Sequence, residues 1–111
     1  MNPFLLFHWS QTTRHNSILK KGLCPGHLSR CGQWRPPYIC FSKSPSMAWA
    51  LSAMFHNEKE SWDLWMIWSN VIPHGYERLP LSGNIEYRVY DRIPKKNIWY
   101  VGTKIFIPRK K

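Results

Sequence analysis

The apolar residues of this chain are grouped in short segments that proline and glycine separate. Nine prolines and six glycines are spread over 111 residues, and the first apolar segment is only Phe4–Phe7. Segments this short build strands and short helices, and none is long enough to span a bilayer. A chain of this length holds one core, to which seven tryptophans contribute large rings. We therefore expect a single domain over residues 1–111 that ends in a basic tail at residues 108–111.

The first half of the chain predicts two short helices between strands. Lys20 and Lys21 followed by Gly22 are typical of a helix end, and Ser44 followed by Pro45 is typical of a helix start. The predicted elements are a strand over Phe4–Trp9, a helix over Arg14–Lys21, a strand over Tyr38–Phe41 and a helix from Pro45 to Phe55.

The second half predicts a run of strands. Ile85, Tyr87 and Val89 alternate with Glu86 and Arg88, which is the period-2 pattern of a strand. The predicted elements are strands over Leu64–Val71, Glu86–Asp91, Asn97–Val101 and Lys104–Ile107, with a loop over Ile72–Gly83. A strand–helix–strand–helix order followed by strands favours the α+β class, with a mostly antiparallel sheet and short flanking helices.

The charge of the chain is strongly positive. Sixteen Lys and Arg stand against six Asp and Glu, which gives a formal net charge of +10. This charge favours a polyanionic partner, and phosphate backbones are the commonest such target. Arg92, Lys95 and Lys96 directly follow the Glu86 strand, so we expect them to contact that partner. The alternative is that these charges only keep a tryptophan-rich domain in solution.

The cysteines bear on compartment and metal binding. Three cysteines, an odd number, do not form a closed set of disulfides. A reducing compartment and the lack of a signal-peptide pattern predict a cytoplasmic protein without a membrane partner. Cys24, His27, Cys31 and Cys40 are residue types that bind zinc, but their spacing matches no standard zinc motif and Cys40 falls in an apolar strand. We therefore expect no metal site.

Glu86 and His8 are the candidate catalytic residues. A carboxylate between hydrophobic strand neighbours is uncommon without a task or a partner, so Glu86 would suit orienting a hydroxyl or accepting a proton. The alternative is a solvent-facing residue paired with Arg88 or Lys95. His8 lies in an aromatic strand, where a histidine is more often a satisfied core or edge residue than a functional one.

Three ordered stretches resemble the ADP-ribosyltransferase fold. Leu6–Ser10 followed by Asn16–Leu23 is similar to the family's opening, an aromatic-His-x-Ser/Thr strand and then a helix with N-x-I-L-x-x-G-L. Tyr38–Pro45 resembles the second strand and the Ser/Pro-capped helix after it. Ile85–Ile98 resembles the closing glutamate strand, and there it is most similar to small DNA-modifying ADP-ribosyltransferase toxins. The three stretches span about residues 5–101.

The resemblance implies an NAD-binding cleft between two small sheets. It implies that His8 hydrogen-bonds the nicotinamide ribose, with Ser10 beside it. It also implies that Glu86 binds the ribose 2′-hydroxyl and stabilises the positive charge that develops on the ribose as nicotinamide leaves.

One position departs from the family pattern. If Phe41 matches the family's phenylalanine beside the cofactor, Cys40 stands where the family has its stacking tyrosine. Tyr38 lies two residues earlier on the same strand face, so we expect it to stack on the nicotinamide instead.

The expected function is NAD-dependent transfer of ADP-ribose to a nucleic acid or a protein. The alternative from another class is a non-catalytic nucleic-acid-binding module on a degenerate version of the same fold, which would use the basic, tryptophan-rich surface. Removal of a 2′-phosphate from RNA, on the same fold, ranks third because the chain lacks an Arg/His-rich pattern. Release of nicotinamide from NAD separates the first function from the second.

Overall fold

Two three-stranded antiparallel sheets form the centre of the fold. The computed structural model describes residues 2–25, 37–51, 60–81 and 84–105. One sheet has the strand order β1-β3-β6 and the other the order β2-β5-β4. This is the mostly antiparallel α+β class that the sequence predicts. The elements are β1 (Leu5–Gln11), α1 (His15–Lys21), β2 (Ile39–Phe41), α2 (Pro45–Leu51), β3 (Trp62–Trp68), β4 (Glu77–Leu81), β5 (Asn84–Val89) and β6 (Trp99–Lys104).

One apolar cluster joins the two sheets. Large side chains of both sheets are almost fully buried in it, and each contributes about 1.5–3 kcal/mol of hydrophobic free energy. The cluster is therefore what holds the sheets together. Its members from the strands are Leu6, Trp65, Ile67, Ile39, Phe41, Tyr87 and Val89.

The sequence misses one strand. The loop predicted over Ile72–Gly83 is wrong in part, because Glu77–Leu81 forms β4 and pairs with β5. Its sequence contains Pro80, which cannot donate to a ladder and argues against a central strand. The strand order places β4 at the end of its sheet, where a proline is tolerated.

The bounds of the other strands also differ from the prediction by one to a few residues. β3 ends at Trp68, earlier than the predicted Leu64–Val71, because Ser69–Val71 form a 3-10 turn. The strand predicted over Asn97–Val101 is observed as β6, which begins at Trp99 and continues through Gly102 to Lys104. Of the strand predicted over Lys104–Ile107, Lys104 belongs to β6, Ile105 is outside it, and residues 106–107 lie outside the described residues. Gly102 is extended like its neighbours, so it does not break the strand.

The helices are short, as predicted. A 3-10 turn over Thr12–Arg14 precedes α1, so the α-helix itself begins at His15. The part of the second predicted helix that follows Leu51, and the basic tail, lie outside the described residues. Among the helices that the structure describes, none is long and apolar enough to cross a membrane.

Gly22 ends α1 and joins it to a distant segment. Its amide donates to the Ile18 carbonyl at 2.8 Å, and its φ of 84° turns the chain away from the helix. Leu23 and Ile93 then exchange two backbone hydrogen bonds of 3.0 and 2.9 Å. This bridge brings the 3-10 turn Lys95–Asn97 next to α1.

Candidate active site

β1 and β2 separate after one short bridge between the two sheets. Phe7 and Ser42 exchange both backbone hydrogen bonds, at 2.7 and 3.1 Å. A continued antiparallel ladder would next pair the amide of Trp9 with the carbonyl of Cys40. Instead, Nδ1 of His8 donates to that carbonyl at 2.7 Å. The imidazole therefore stands where the strands diverge, in place of a backbone donor.

Phe41 supports the His8 ring from the core side. The two ring centroids are 5.5 Å apart. Phe41 is completely buried, with 0% exposure, so it has no free surface on which a ligand could stack. Phe41 was expected to contact the cofactor. In this structure it packs against His8, so it would affect a cofactor only by orienting the His8 ring.

Glu86 is a buried carboxylate on β5. It is only 5% exposed, and it lies on the strand face opposite to the core residues Tyr87 and Val89. Nη2 of Arg88 lies 3.1 Å from Oε2 of Glu86 and compensates its charge. The alternative of a solvent-facing glutamate is therefore wrong, although its pairing with Arg88 is confirmed.

Cys40 connects Glu86 with His8. It is the cross-strand partner of Arg88, and its thiol hydrogen-bonds the Glu86 carboxylate. Its carbonyl accepts from His8. The two candidate catalytic residues, which are far apart in the sequence, thus both contact Cys40, one at its side chain and one at its backbone.

The Cys40 thiol stays protonated at neutral and mildly alkaline pH. Burial raises the pKa of Cys40, and the hydrogen bond to Glu86 and the charge of that carboxylate raise it further. Because only the thiolate reacts, we expect iodoacetamide to label Cys40 at least about tenfold more slowly in the folded chain than in urea. Peptide mapping of the two samples measures this ratio, and equal rates would mean that the thiol is neither buried nor bonded to Glu86.

Tyr38 lies in the same cluster as Glu86. The guanidinium of Arg88 lies 4.2 Å from the centroid of its ring. Burial raises the pKa of Tyr38, and the charge of Glu86 raises it further. We call Tyr38, Cys40, Glu86 and Arg88 the Glu86 cluster. Tyr38 was expected to stack on nicotinamide, and in this structure Arg88 covers one face of its ring.

Arg88 carries an unsatisfied donor in this cluster. Its Nε is buried and has no hydrogen-bond partner among the described residues. A buried N–H without a partner costs about 1–3 kcal/mol. An oxygen atom of a ligand would satisfy it beside Glu86.

Ser10 lies on β1, two residues after His8. It is 5% exposed, and its hydroxyl accepts from the indole N–H of Trp65 at 2.8 Å. Trp65 is the cross-strand partner of His8. The serine hydroxyl is thus part of the packing that fixes β1 on β3, and its contact in this structure is to the protein.

An aromatic groove begins at the residue after His8. Trp9 and Trp49 meet edge to face with centroids 5.0 Å apart, and the Trp9 indole donates to the Pro45 carbonyl at 2.9 Å. Nζ of Lys104 lies 4.4 Å from the Trp49 ring. The groove has a volume of about 480 Å³, and neither His8 nor Glu86 lines it. Its lining residues are Trp9, Pro45, Ser46, Trp49, Leu64, Gly102, Thr103 and Lys104.

This groove was not predicted from the sequence. The sequence does predict the start of α2, where Ser44 caps the helix by accepting from the Met47 amide at 3.1 Å, and this start places Trp49 in the second turn. That α2 would pack on β1 beside Trp9 depends on tertiary structure, which the local pattern does not contain.

A second polar network was also missed. Asp63, which is 1% exposed, accepts from Thr103 Oγ1 at 2.6 Å and lies 2.9 Å from Nδ1 of His15. The His15 ring packs between Trp65 and Tyr100, with centroids 5.2 and 4.9 Å away. This network ties α1 to β3 and β6, and it satisfies the buried carboxylate.

The expected acceptor-binding residues lie near α1. Lys95 and Lys96 are exposed on the 3-10 turn that the Leu23–Ile93 bridge holds against α1. Nε of Arg92 donates to Sγ of Cys24 at 3.3 Å. Lys95 lines a groove with α1 residues and not with the Glu86 cluster.

The residues considered for zinc are not assembled where the structure describes them. Cys24 contacts Arg92, whereas Cys40 contacts Glu86. His27 and Cys31 lie outside the described residues. Within the described ranges, no group of three His, Cys, Asp or Glu side chains is arranged to hold a metal ion.

No protein-family model matches the chain, and no curated protein matches it in sequence.

Proposed function

We propose that this chain transfers ADP-ribose from NAD to a nucleic acid. The observation that supports this most is that His8 and Glu86 both contact Cys40, His8 at its carbonyl and Glu86 at its thiol, where β1 and β2 separate. The resemblance of the sequence to ADP-ribosyltransferases assigns those same two residues to the NAD site. A buried carboxylate, a half-buried imidazole and an aromatic groove are the kinds of group that such a reaction uses.

The aromatic groove and the Glu86 cluster each offer groups that fit NAD chemically. The aromatic groove offers indole faces and edges to the nicotinamide ring, together with the hydroxyl of Ser46 at its rim. The buried Nε of Arg88 is a donor that still needs an acceptor, and the phosphate, carboxamide and ribose groups of NAD all carry oxygens. On this proposal the stacking residue is Trp49 or Trp9, and Tyr38 instead holds Arg88 in place.

The chain's own groups would act on the ribose. NAD supplies an ADP-ribosyl group whose bond to the cationic nicotinamide is already weakened. Glu86 would provide a fixed negative charge where positive charge develops, and burial strengthens that interaction. His8, whose ring is fixed by the Cys40 carbonyl, would orient a ribose hydroxyl. Arg88 would have to release Glu86 partly when NAD enters, because it pairs with that carboxylate in this structure.

Release of nicotinamide tests the proposal. The full chain is incubated with NAD, with and without a mixture of single- and double-stranded oligonucleotides, and free nicotinamide is measured by chromatography. We expect release, and we expect covalent addition of ADP-ribose to an oligonucleotide or a protein by mass spectrometry. A chain that binds oligonucleotides but releases no nicotinamide under any of these conditions would instead be the non-catalytic nucleic-acid-binding module.

The aromatic groove provides a separate prediction. We expect Trp49→Ala to weaken NAD binding about tenfold, because stacking on an aromatic side chain contributes about 1–3 kcal/mol per base. Calorimetric titration measures the Kd. Trp99→Ala removes a 52% exposed indole from β6, outside the groove, and serves as the matched control. Equal Kd values for the two folded variants would place the nicotinamide elsewhere.

A further inference from the structure

Lysines from two distant parts of the sequence line one groove beside α1. Lys20 and Lys21 are the last residues of α1, and Lys95 and Lys96 begin the 3-10 turn before β6. The Leu23–Ile93 bridge and the turn at Gly22 hold these two segments together. The groove between them has a volume of about 480 Å³. Its lining residues are Asn16, Ser17, Leu19, Lys20, Lys21 and Lys95. We call it the basic groove.

The charge in the basic groove is not compensated within the described residues. No carboxylate lines it, and no ion pair in the part of the chain that the structure describes involves its three lysines. The helix dipole accounts for Lys20 and Lys21 at the end of α1, because cations are favourable there. It does not account for Lys95, which comes from another element and adds like charge. Like charges gathered in one concave site favour an anionic ligand.

We propose that the basic groove binds the phosphate backbone of a nucleic acid. Lysine ammonium groups are point-charge partners for phosphates, and the Asn16 amide and Ser17 hydroxyl add hydrogen-bond donors. No aromatic residue lines the groove, so it offers no platform on which bases would stack. Recognition is therefore through the backbone and independent of base sequence.

This inference rests on the proposed function only in one respect, namely that the bound nucleic acid is the acceptor. The binding itself is a property of the basic groove and does not require NAD. Binding and nicotinamide release can therefore fail separately.

The experiment compares two charge-matched double variants of the full chain. Lys21→Ala/Lys95→Ala removes one lysine from each wall of the groove. Lys43→Ala/Arg78→Ala removes the same charge from exposed positions outside it. Fluorescence anisotropy measures binding of a labelled oligothymidylate and of a labelled mixed-sequence duplex over a series of salt concentrations. Circular dichroism confirms that each variant is folded.

We expect the groove variant to bind at least about tenfold more weakly at low salt, with a salt slope that is smaller by about one to two. The control variant should retain the parent slope. Lys21→Arg/Lys95→Arg should bind oligonucleotides as the parent does, because it keeps both charges. This variant tests the site even if the alanine variant folds poorly. Equal losses in both alanine variants, or no binding by the parent chain at low salt, would overturn the proposal.

Nicotinamide release from NAD alone is measured on the same samples. We expect it to be unchanged in the groove variant, because these lysines line a groove distinct from the Glu86 cluster. If the parent chain releases no nicotinamide but binds oligonucleotides through the groove, the binding proposal holds and the proposed enzymatic function fails. If the parent chain releases nicotinamide and the groove variant binds oligonucleotides as well as the parent does, the enzymatic function holds and the binding proposal fails.

Discussion

Glu86→Gln is expected to lower nicotinamide release by about 100-fold or more. The substitution keeps the size of the side chain and one oxygen that can accept a hydrogen bond from Arg88 or Cys40, but it removes the negative charge. Loss of one preorganised electrostatic group typically costs about 100–1000-fold in rate. NAD binding should be largely preserved, because the substrate before reaction does not carry the positive charge that develops on the ribose. Single-turnover release and calorimetric titration measure the two quantities separately.

The neighbouring strand supplies the control. Glu77 is a glutamate on β4, and it is exposed and paired across the ladder with Arg88. Glu77→Gln removes the same charge from the neighbouring strand, and we expect the rate of nicotinamide release to stay unchanged. Glu86→Asp keeps the charge but shortens the side chain, so it should retain more activity than Glu86→Gln. Release by Glu86→Gln at the parent rate would end the assignment of Glu86, whatever the folding of the variant.

The strand pattern around Glu86 shows what a sequence can and cannot predict. The alternation of Tyr87 and Val89 with Glu86 and Arg88 was enough to predict β5 and its two faces, because the period of a strand is local. The burial of Glu86 was not predictable from that alternation. Residues on the non-core face of a strand are usually solvated, and here other parts of the chain cover that face.

The contact that His8 makes with Cys40 was also not predictable from the sequence. The aromatic strand and the candidate histidine were both visible in the sequence. That β1 and β2 share only one bridge, so that the imidazole replaces a backbone donor to Cys40, depends on how two sheets twist apart. Similarly, Lys20 and Lys21 were assigned only to a helix end and Lys95 only to a contact with the partner, because the Leu23–Ile93 bridge that brings them together is not visible in the sequence.

Gly22→Ala is expected to destabilise the fold by about 3 kcal/mol or more. A Cβ at this position would lie 2.0 Å from the carbonyl oxygen of Ile93, which is backbone and cannot turn away. The φ of 84° with a ψ of −169° is a conformation that essentially only glycine adopts, and it adds about 1–3 kcal/mol of strain for any residue with a Cβ. Relief of the overlap requires the two hydrogen bonds between Leu23 and Ile93 to lengthen or break, at about 1 kcal/mol each. Urea denaturation measures the free energy of unfolding.

Gly75→Ala tests the backbone strain of a positive φ without the steric overlap that a Cβ has at Gly22. Gly75 has a φ of 80°, almost the same as Gly22, but no atom lies within 4 Å of the Cβ that alanine would add. It should therefore cost only the strain of about 1–2 kcal/mol. Where Gly22→Ala remains folded at low temperature, oligonucleotide binding should weaken as well, because Lys21 and Lys95 would no longer line one groove. Equal destabilisation by the two substitutions would mean that α1 and the Ile93 segment are not packed as closely as the structure has them, and the basic groove would lose its physical basis.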